Sequence, residues 1–450
     1  MDGQISKTFD YPRRRCFWHR GGPIRDNHPF SLTLCPWLFR VTEIPEKQSA
    51  SSSVSMTPME RRASASLAGI FALRMLGLFL VLPVFALEAR KYPGGDDPAL
   101  LGLAMGIYGL TQGLLQLPFG MASDRFGRKR VIVLGLVIFA LGSFWAAGAT
   151  DLTGLLVGRS LQGAGAVSAA VTALLADLTR DEVRTKAMAL VGASIGLMFA
   201  LSLVVAPVLV AVMGLSGLFG LTGVLALLGI AVVVWGAPPA PAQMKGQARG
   251  SLKDVLRHAG LMRLNFGVFV LHAVQLAMWV AVPALLVQSG LPKAAHWQVY
   301  LPAVLGSFVL MGGVFALERR GHLKKAFLAA IALIALVQVG LLVQSSGTSS
   351  VLVMAWLLFA FFCGFNVLEA TQPSMASRMA PPAVRGTALG VYNTLQSLGF
   401  FVGGWLGGWL VKTWGSPALF ACCAVAMLVW CLVALPMQTP GRAAPVQLAE

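Results

Sequence analysis

The sequence predicts an all-α membrane protein with twelve transmembrane helices in two six-helix bundles. Three observations carry this prediction: an apolar composition, twelve apolar runs of membrane-spanning length, and a repeat that relates the two halves of the chain. The 450-residue chain is 56% hydrophobic and 12% charged, with a mean hydropathy of +0.73, whereas about a quarter of the residues in an ordinary soluble domain are charged. The composition therefore indicates a chain that lies in a lipid bilayer.

The apolar runs are long enough to cross a membrane. A bilayer core about 30 Å thick needs roughly 20 apolar residues for each helix that crosses it. Polar or Gly/Pro-rich breaks separate twelve such runs, which we number spans 1 to 12. They are predicted at 64–87, 99–120, 129–149, 153–177, 186–212, 214–236, 261–287, 299–317, 325–344, 350–372, 384–411 and 416–436. The least distinct breaks lie at 212–220 and around His296.

Two short motifs occur once in each half of the chain. "DRFGRKR" (124–130) after span 2 aligns with "ERRGHLK" (318–324) after span 8. "RTKAMA" (184–189) before span 5 aligns with "RGTALG" (385–390) before span 11. The two pairs have nearly the same offset, so the second half repeats the first in the same direction. Parallel repeats of this kind are typical of transporters whose halves rock about a site at the membrane midplane.

The repeat and the apolar runs predict five segments in the chain. These are a leader (1–55), a first bundle (56–236), a cytoplasmic linker (237–258), a second bundle (259–436) and a cytoplasmic tail (437–450). The linker is Pro/Gly-rich and basic, as a flexible connector should be. The leader lacks the apolar core of a signal peptide. We expect it to be disordered, or absent if translation starts at Met56 or Met59; a regulatory tail is the alternative.

The distribution of basic residues predicts the topology. Of 35 Lys and Arg, eight lie in residues 1–60 and two lie within spans. Of the other 25, 21 lie on the side where span 1 begins and four, Arg90, Lys91, Lys293 and Lys412, lie on the other side. The positive-inside rule then places both termini in the cytoplasm. The net charge of +17 therefore reflects membrane topology, and we expect no nucleic-acid partner.

No cofactor or metal is expected. Cys16, His19, His28 and Cys35 are the one group with a ligand-like composition, and their spacing matches no common zinc pattern.

The segment "GMASDRFGRKR" (120–130) places one acid and four basic residues between two apolar runs. Its pattern, G-x-x-x-D-R-x-G-R-[KR], resembles the cytoplasmic signature of the major facilitator superfamily. The matching residues are Gly120, Asp124, Arg125, Gly127, Arg128 and Lys129. A second family motif is matched by "GRSLQGAGAV" (158–167) on span 4, with its arginine at Arg159. The resemblance implies the major facilitator fold and transport by alternating access.

Further segments resemble one branch of that superfamily from the bacterial inner membrane, which implies the same location here. They are "MTPMERRA", "LRMLGLFLVLP", "IYGLTQ", "LLADLTRDEVRTKAMA", "FNVLEA" and "GTALGVYNT". That branch carries a soluble carboxy-terminal domain, which we expect this chain to lack. The antiporter motif of span 5 persists only as Ala193, Ser202, Ala206, Pro207, Val210 and Ala211, without its glycines. Because these glycines are missing, the sequence supports export less strongly than it supports membership of the superfamily.

Four ionisable side chains lie well inside predicted spans: Arg74, Arg159, His272 and Glu369, on spans 1, 4, 7 and 10. A charge at mid-membrane costs at least a few kcal/mol, so each is a functional candidate. In the superfamily these four spans line the central cavity. Glu369 is the first candidate for proton coupling; a structural pairing with an arginine is the alternative. His272 either titrates near neutral pH or packs as a hydrogen-bonded residue, and the arginines either hold a carboxylate or anionic substrate group or are structural.

Other polar residues accompany these four. Gln162, Gln275 and Asn366 lie three residues from Arg159, His272 and Glu369 on the same helical faces. Secondary cavity candidates are Gln112, Gln116, Tyr392, Asn393 and Gln396, for which hydrogen bonding between helices is the alternative. Trp279, Phe359, Phe361 and Phe362 suit an apolar pocket, or else face lipid and neighbouring helices.

The motif at 120–130 has a mechanical interpretation. An acid at a helix N-terminus is stabilised by the partial positive charge there. The resemblance implies that Asp124 meets the start of span 11 and latches the halves on the cytoplasmic side while the cavity faces outward. Arg128 is placed to pair with Asp177 at the end of span 4. Gly120 and Gly127 allow close approach and a tight turn. Simple anchoring by positive charge is the alternative, but it explains neither the acid nor the glycines.

The sequence thus predicts a monomeric secondary transporter, driven by the proton gradient, that exports a small lipophilic or cationic compound. No ATP-binding P-loop is present in the sequence. Metabolite uptake or facilitated diffusion through the same fold is the alternative. A polytopic membrane enzyme is a third candidate, but the expected cluster of His, Asp, Ser or Cys at one membrane face does not occur.

Overall fold

The computed structural model describes residues 55–239, 252–319, 322–347, 349–381 and 384–437. Secondary structure within these ranges is entirely helical. Nearly all of the predicted leader, most of the linker and nearly all of the tail lie outside the described residues, as does Gly321 of the second-half motif.

Each predicted span coincides with a helix or with part of one, except span 4, which is two helices. The first six spans are Pro58–Glu88, Pro98–Phe126, Arg128–Ala147, the pair Leu152–Ala164 and Ser168–Asp177, and the long helix Asp181–Ala231, which ends in a π-helical turn, Val232–Gly236. After a short helix, Leu252–Arg257, the last six spans are Ala259–Gln288, Trp297–Arg319, Leu323–Ser346, Val351–Met379 and the long helix Arg385–Ala434. Single 3₁₀ turns, Ala89–Lys91 and Lys293–Ala295, follow spans 1 and 7.

Two long helices each contain two spans. Nine helices in the described part of the chain are long and apolar enough to cross a membrane. Two of these are broken by a glycine: Gly214 has φ 67° and ψ −176°, and Gly415 has φ 80° and ψ 175°. These conformations suit glycine because it has no Cβ. The breaks fall between spans 5 and 6 and between spans 11 and 12, so together with the two-part span 4 they account for twelve spans.

Span 4 differs from the prediction of one continuous helix over 153–177. It consists of two helices that are separated at residues 165–167. A Cβ placed on Gly165 would lie 2.4 Å from the carbonyl oxygen of Gly135 on span 3. Span 4 therefore approaches span 3 backbone to backbone at its break. Apolar periodicity does not reveal the break, because residues 163–167 are all small or apolar.

The two ends of the molecule are named by their loops. The motif end carries the turn between spans 2 and 3 at Gly127, and the opposite end carries the loops that follow spans 1 and 7. Large apolar side chains such as Val212, Trp235 and Val309 are more than three-quarters exposed on the outside of the helices. This apolar exterior suits contact with lipid rather than water.

Spans 2 and 11 connect the two halves and lie closest at the opposite end. A Cβ on Gly102 of span 2 would lie 2.2 Å from the carbonyl oxygen of Gly404 on span 11. Nearer the motif end, a Cβ on Gly390 would lie 3.7 Å from the side chain of Leu117. The spans therefore pack backbone to backbone at the opposite end and through side chains toward the motif end. In this structure the halves are closed against each other at the opposite end.

Candidate functional site

Three predicted residues, His272, Glu369 and Gln396, meet in the second half of the molecule. They come from spans 7, 10 and 11. Nε2 of His272 lies 3.2 Å from Oε2 of Glu369 and 2.7 Å from Nε2 of Gln396. The Gln396 amide also lies 3.4 Å from Oε1 of Glu369. The structure therefore places the two titratable candidates in direct contact, and among the described residues no arginine pairs with Glu369.

His272 is fixed from three sides. Its residue is 1% exposed, and Nδ1 lies 2.8 Å from the carbonyl oxygen of Val268 one turn earlier. The ring packs edge to face against Phe365 and Phe400, at centroid distances of 6.0 and 4.9 Å. A carbonyl oxygen only accepts hydrogen bonds, so Nδ1 carries a proton and Nε2 is the atom available for exchange.

The contact between His272 and Glu369 requires one proton. A bare Nε2 facing an ionised carboxylate would be repulsive, so the proton lies on either Nε2 or the carboxyl group. The Gln396 amide nitrogen, where it stands, can donate to a bare Nε2. With the amide rotated by 180°, its oxygen would accept from a protonated Nε2. The amide thus provides a partner for either position of the proton.

One carboxylate oxygen of Glu369 is buried, whereas much of the rest of its side chain is exposed. Its side chain is 41% exposed although it lies in mid-span, while Oε2 is buried and lacks a hydrogen bond with good alignment. The 3.2 Å approach to His272 is therefore an electrostatic contact more than an aligned hydrogen bond. Much of the rest of the side chain is not covered by the described part of the chain.

Asn366 and Gln275 do not join this cluster, although both share a helical face with one of its members. Nδ2 of Asn366 donates to Oγ of Ser307 on span 8 at 2.7 Å. Gln275 is 5% exposed, and its Oε1 is buried without a hydrogen-bond partner in the described chain. Tyr392 is also separate, since its hydroxyl donates to Oε1 of Gln372 at 3.3 Å.

Arg74 and Arg159 form a second cluster in the first half, with Tyr108 between them. Arg74 donates to the Tyr108 hydroxyl at 2.7 Å and to Oγ of Ser168 at 2.9 Å. The guanidinium carbon of Arg159 lies 5.1 Å from the centre of the Tyr108 ring. Arg159 also donates to Oε1 of Gln162 at 3.1 Å. Sequence analysis missed Tyr108 and Ser168, which polar content within spans 2 and 4 could have revealed.

These two guanidinium groups are buried among neutral partners. The residues are 1% and 2% exposed, and within the described chain neither forms an ion pair. Hydroxyl, amide and carbonyl oxygens, together with aromatic faces, supply their stabilisation. The predicted role of holding an anionic substrate group stays a prediction, and the present contacts are those of a hydrogen-bonded bundle interior.

The other predicted cavity residues lie along spans 2 and 11. Gln116 is 1% exposed, and both its amide atoms are buried without a partner in the described chain. Gln112 and Asn393 are half-buried.

The motif at 120–130 forms an ion network at the end of spans 2, 3 and 4. Arg128 pairs with Asp124, and its Nε lies 2.9 Å from Oδ2 of Asp177. It also donates to Oγ of Ser123 at 2.8 Å. The predicted pairing of Arg128 with Asp177 is therefore confirmed. The latch between Asp124 and span 11, which concerns the outward-facing state, stays a prediction.

The rest of the motif supports the turn. Gly127 has φ 98° between the two helices, a conformation that favours glycine. A Cβ on Gly120 would lie 3.7 Å from Ala169 of span 4, which is ordinary contact. Lys129 donates to the carbonyl oxygen of Ala237 at 2.6 Å, beyond span 6. The Arg125 guanidinium lies 5.4 Å from the ring of Phe126.

Two ion pairs at the opposite end join the halves, and neither was predicted. Glu88 lies 2.5 Å from Lys293, and Asp97 lies 2.7 Å from Lys412. The hydrogen bond from Lys412 lowers the pKa of Asp97 below its ordinary value, with help from the backbone N–H of Ala99. The search for charges in mid-span passed over these residues because they lie at span ends.

A parallel pair of six-helix bundles with a charged motif between spans 2 and 3 and titratable groups in mid-membrane defines a major facilitator transporter. The Major Facilitator Superfamily model matches residues 67–404 and 374–450, so the chain belongs to that superfamily. It is similar to the inner membrane transport protein YajR of Escherichia coli, with 41% identity over 390 residues, covering 86% of this chain and 85% of that protein. The fold and these relatives are those of transporters, not enzymes.

More distant relatives share the same architecture. The quinolone resistance protein NorA of Staphylococcus aureus is 25% identical over 341 residues, covering 73% of this chain and 84% of that protein. The crystal structure of a D-xylose–proton symporter superimposes with a TM-score of 0.66 at 15% identity, covering 84% of this chain and 98% of the other. At that identity the likeness concerns the fold alone.

Proposed function

We propose that this protein is a proton-coupled exporter of small organic molecules, which acts as a monomer in the bacterial inner membrane. Membership of the superfamily makes it a membrane transporter of small molecules. The coupling ion, the direction of transport and the substrate are the proposed part.

The proposed orientation of the protein in the membrane rests on the distribution of its basic residues. The side with 21 basic residues against four is the motif end, so the motif and both termini face the cytoplasm. The opposite end, closed by spans 2 and 11 and by two ion pairs, then faces outward. The described conformation therefore corresponds to the inward-facing half of the transport cycle.

The contact between His272 and Glu369 is the observation that supports proton coupling. One proton belongs to this pair, and Gln396 offers it two bonded positions. Because 41% of the Glu369 side chain is exposed, substrate arriving from the cytoplasm would meet the carboxyl group and displace its proton. The outward-facing state would take up the next proton, which is antiport. Asp124 would hold that state closed on the cytoplasmic side through the start of span 11.

Export is supported by a relative, and uptake by one feature of the sequence. The printed name of NorA states quinolone resistance, which suits removal of a compound from the cell. Span 5 lacks the glycines of the antiporter motif, with Ala193, Ala206 and Ala211 at three of those positions. Uptake or facilitated diffusion of a metabolite is therefore the second candidate.

Proteoliposomes that contain the pH-sensitive dye pyranine test the coupling. An imposed pH gradient should drive the flux of at least one member of a panel of quinolones, organic cations and metabolites, with a matching proton flux. Glu369→Gln should abolish proton-driven flux and keep substrate exchange without a gradient, because the neutral amide cannot release a proton. Asp254→Asn, an exposed carboxylate outside the spans, should leave driven flux unchanged. Driven flux that survives in Glu369→Gln would remove this residue from the coupling mechanism.

A further inference from the structure

We propose that His296 is a proton sensor of the closed end: when its imidazole binds a proton, the opposite end of the molecule opens. His296 lies between spans 7 and 8, directly before the first residue of span 8. The proposed proton coupling concerns His272 and Glu369, which lie in mid-span. The sensor goes beyond that proposal, because it concerns the equilibrium between the closed and open states of the opposite end.

His296 lines a small cavity at the boundary between the two halves. Spans 1 and 5 of the first half form one side of this cavity, and Lys293, Ala294 and His296 of the second half form the other. Its volume is about 30 Å³, which leaves room for about two water molecules, since each needs roughly 10–15 Å³ of such space. Because the walls come from both halves, separation of the halves at this end would open the cavity to water.

A positive charge on His296 is unfavourable while this end is closed. The residue is 2% exposed, and its Nε2 is buried without a hydrogen-bond partner in the described chain. Its carbonyl oxygen accepts from the backbone N–H of Tyr300 at 3.0 Å, so the imidazole lies at the N-terminus of span 8, where the helix dipole disfavours a cation. Burial lowers the pKa of His296 to about 4, although a backbone hydrogen bond with Leu291 acts in the other direction. In the closed end His296 is therefore neutral at neutral pH.

The charged groups around the cavity oppose a charge on His296 as well. Lys293 lines the same cavity, and its ammonium group would repel a protonated imidazole. Glu88 is the carboxylate of the cavity, and it already pairs with Lys293 and with Lys91, each at 2.5 Å. Span 8 presents the ring of Tyr300 at a centroid distance of 5.9 Å, and span 5 contributes only apolar side chains. A protonated His296 would thus add a third cation beside one carboxylate.

Linkage between protonation and conformation then favours the open state at low pH. In an opened end water would reach the imidazole, and the pKa of His296 would return to about 6.5. The open state then binds a proton more tightly than the closed state, so acidification through pH 6.5 stabilises the open state. Between pH 7.5 and pH 5.5 the two pKa values correspond to a rise of about tenfold in the open-to-closed ratio. With the opposite end facing outward, an acidic exterior would open the transporter toward the side from which protons enter.

Distances between two spin labels test the sensor with the purified full chain in nanodiscs. Labels at Asp96→Cys and Thr413→Cys, in a background without the six native cysteines, report the open-to-closed ratio at pH 7.5 and at pH 5.5. Acidification should raise this ratio about tenfold or more. With His296→Gln, which stays polar but cannot take up a proton, the rise should be about tenfold smaller. His322→Gln, the same substitution at an exposed position of the motif end, should keep the full rise.

Two results would overturn the sensor. One is an open-to-closed ratio that stays constant or falls on acidification when His296 is present, and this measurement does not depend on the folding of a His296 variant. The other is an equal pH response with and without His296→Gln. Adding Glu369→Gln to both chains should preserve the tenfold difference between them, because the sensor acts independently of the coupling group. The sensor can therefore fail while proton-driven flux is observed, and it can succeed while that flux is absent.

Discussion

Buried ionisable side chains have different surroundings in the two halves of the molecule. Arg74 and Arg159 are surrounded by neutral oxygens and by the ring of Tyr108, and a guanidinium group is a poor carrier of exchangeable protons. His272 and Glu369 face each other at 3.2 Å, and both side chains are of kinds that bind and release protons. Only the second arrangement suits a cycle in which protons bind and leave, which is why we propose coupling at spans 7 and 10.

Tyr108→Phe should destabilise the first half. The substitution removes the hydroxyl that accepts from Arg74 at 2.7 Å and leaves a buried guanidinium N–H without that partner. A hydrogen bond to a charged group contributes about 1.5–3 kcal/mol, so the free energy of unfolding in mixed micelles should fall by about 2 kcal/mol. Tyr92→Phe, the same change in the loop after span 1, should have little effect. A loss no larger than this control's would mean that Arg74 does not depend on the hydroxyl.

Residue chemistry alone distinguished two of the three members of the cluster formed by His272, Glu369 and Gln396. Glu369 and His272 stood out because charge is costly in hydrocarbon. Gln396 was one of several amides with no such distinction, and its position beside both groups depends on how span 11 packs against spans 7 and 10. Asn366 lies three residues before Glu369 on the same helical face, yet its amide donates a hydrogen bond to Ser307 on span 8.

At the scale of helices, the contact between spans 2 and 11 depends on glycine. Gly102, Gly106 and Gly109 of span 2 would each place a Cβ within 3 Å of a backbone oxygen of span 11. Small residues allow such backbone contact between membrane helices, where lipid leaves little hydrophobic drive for association. The absence of side chains here determines how closely the halves meet at the opposite end.

Gly102→Ala should weaken closure of the opposite end. A Cβ 2.2 Å from the Gly404 oxygen cannot be accommodated without moving the spans apart. Spin labels at Asp96→Cys and Thr413→Cys, in a background without the six native cysteines, should report a longer distance in the variant. Gly192→Ala, with nothing within 4 Å of the added carbon, should leave the distance distribution unchanged. The same distribution in Gly102→Ala would contradict the packing argument.

The lengths of the apolar runs predicted most of the helices. Glycines mark the breaks between spans 5 and 6 and between spans 11 and 12. The predicted boundaries at 212–220 and 411–416 contain Gly214 and Gly415, which adopt positive φ. The break within span 4 was not predicted, because Gly165 is one of three glycines in "GRSLQGAGAV". In the structure Gly165 closely approaches Gly135 on span 3 and Gly163 closely approaches Tyr108 on span 2, so close backbone contact does not single out the break either.

At the scale of the whole molecule, two ion pairs close the opposite end between the halves. Glu88 and Lys293 connect spans 1 and 7, and Asp97 and Lys412 connect spans 2 and 11. The carboxylate side chain of Glu88 is 5% exposed, whereas that of Asp97 is 37% exposed. Exposed ion pairs contribute little, and buried ones cost much more when one partner is removed.

Glu88→Gln should open the opposite end more than Asp97→Asn does. The exposed pair is worth less than about 1 kcal/mol, so Asp97→Asn should change the open-to-closed ratio by less than about fivefold. Glu88→Gln removes a 5% exposed carboxylate that pairs with both Lys293 and Lys91, whereas Asp97 is 37% exposed and pairs with Lys412, so the change for Glu88→Gln should be the larger of the two. The same spin-label distances measure both, at neutral pH, where the lowered pKa of Asp97 keeps it ionised. Equal effects would show that burial does not distinguish the pairs.

The sequence by itself determined the class of fold, the number of spans and the ionisable residues that lie within spans. The hydrocarbon core imposes these features locally. Each helix must form its own backbone hydrogen bonds, and each charged side chain in the core is energetically costly. Only the tertiary structure decided which charges meet and which end is closed. The contacts of His272 with Glu369, of Glu88 with Lys293 and of Gly102 with Gly404 join distant parts of the chain. Such contacts depend on how helices pack, which no local pattern in the sequence specifies.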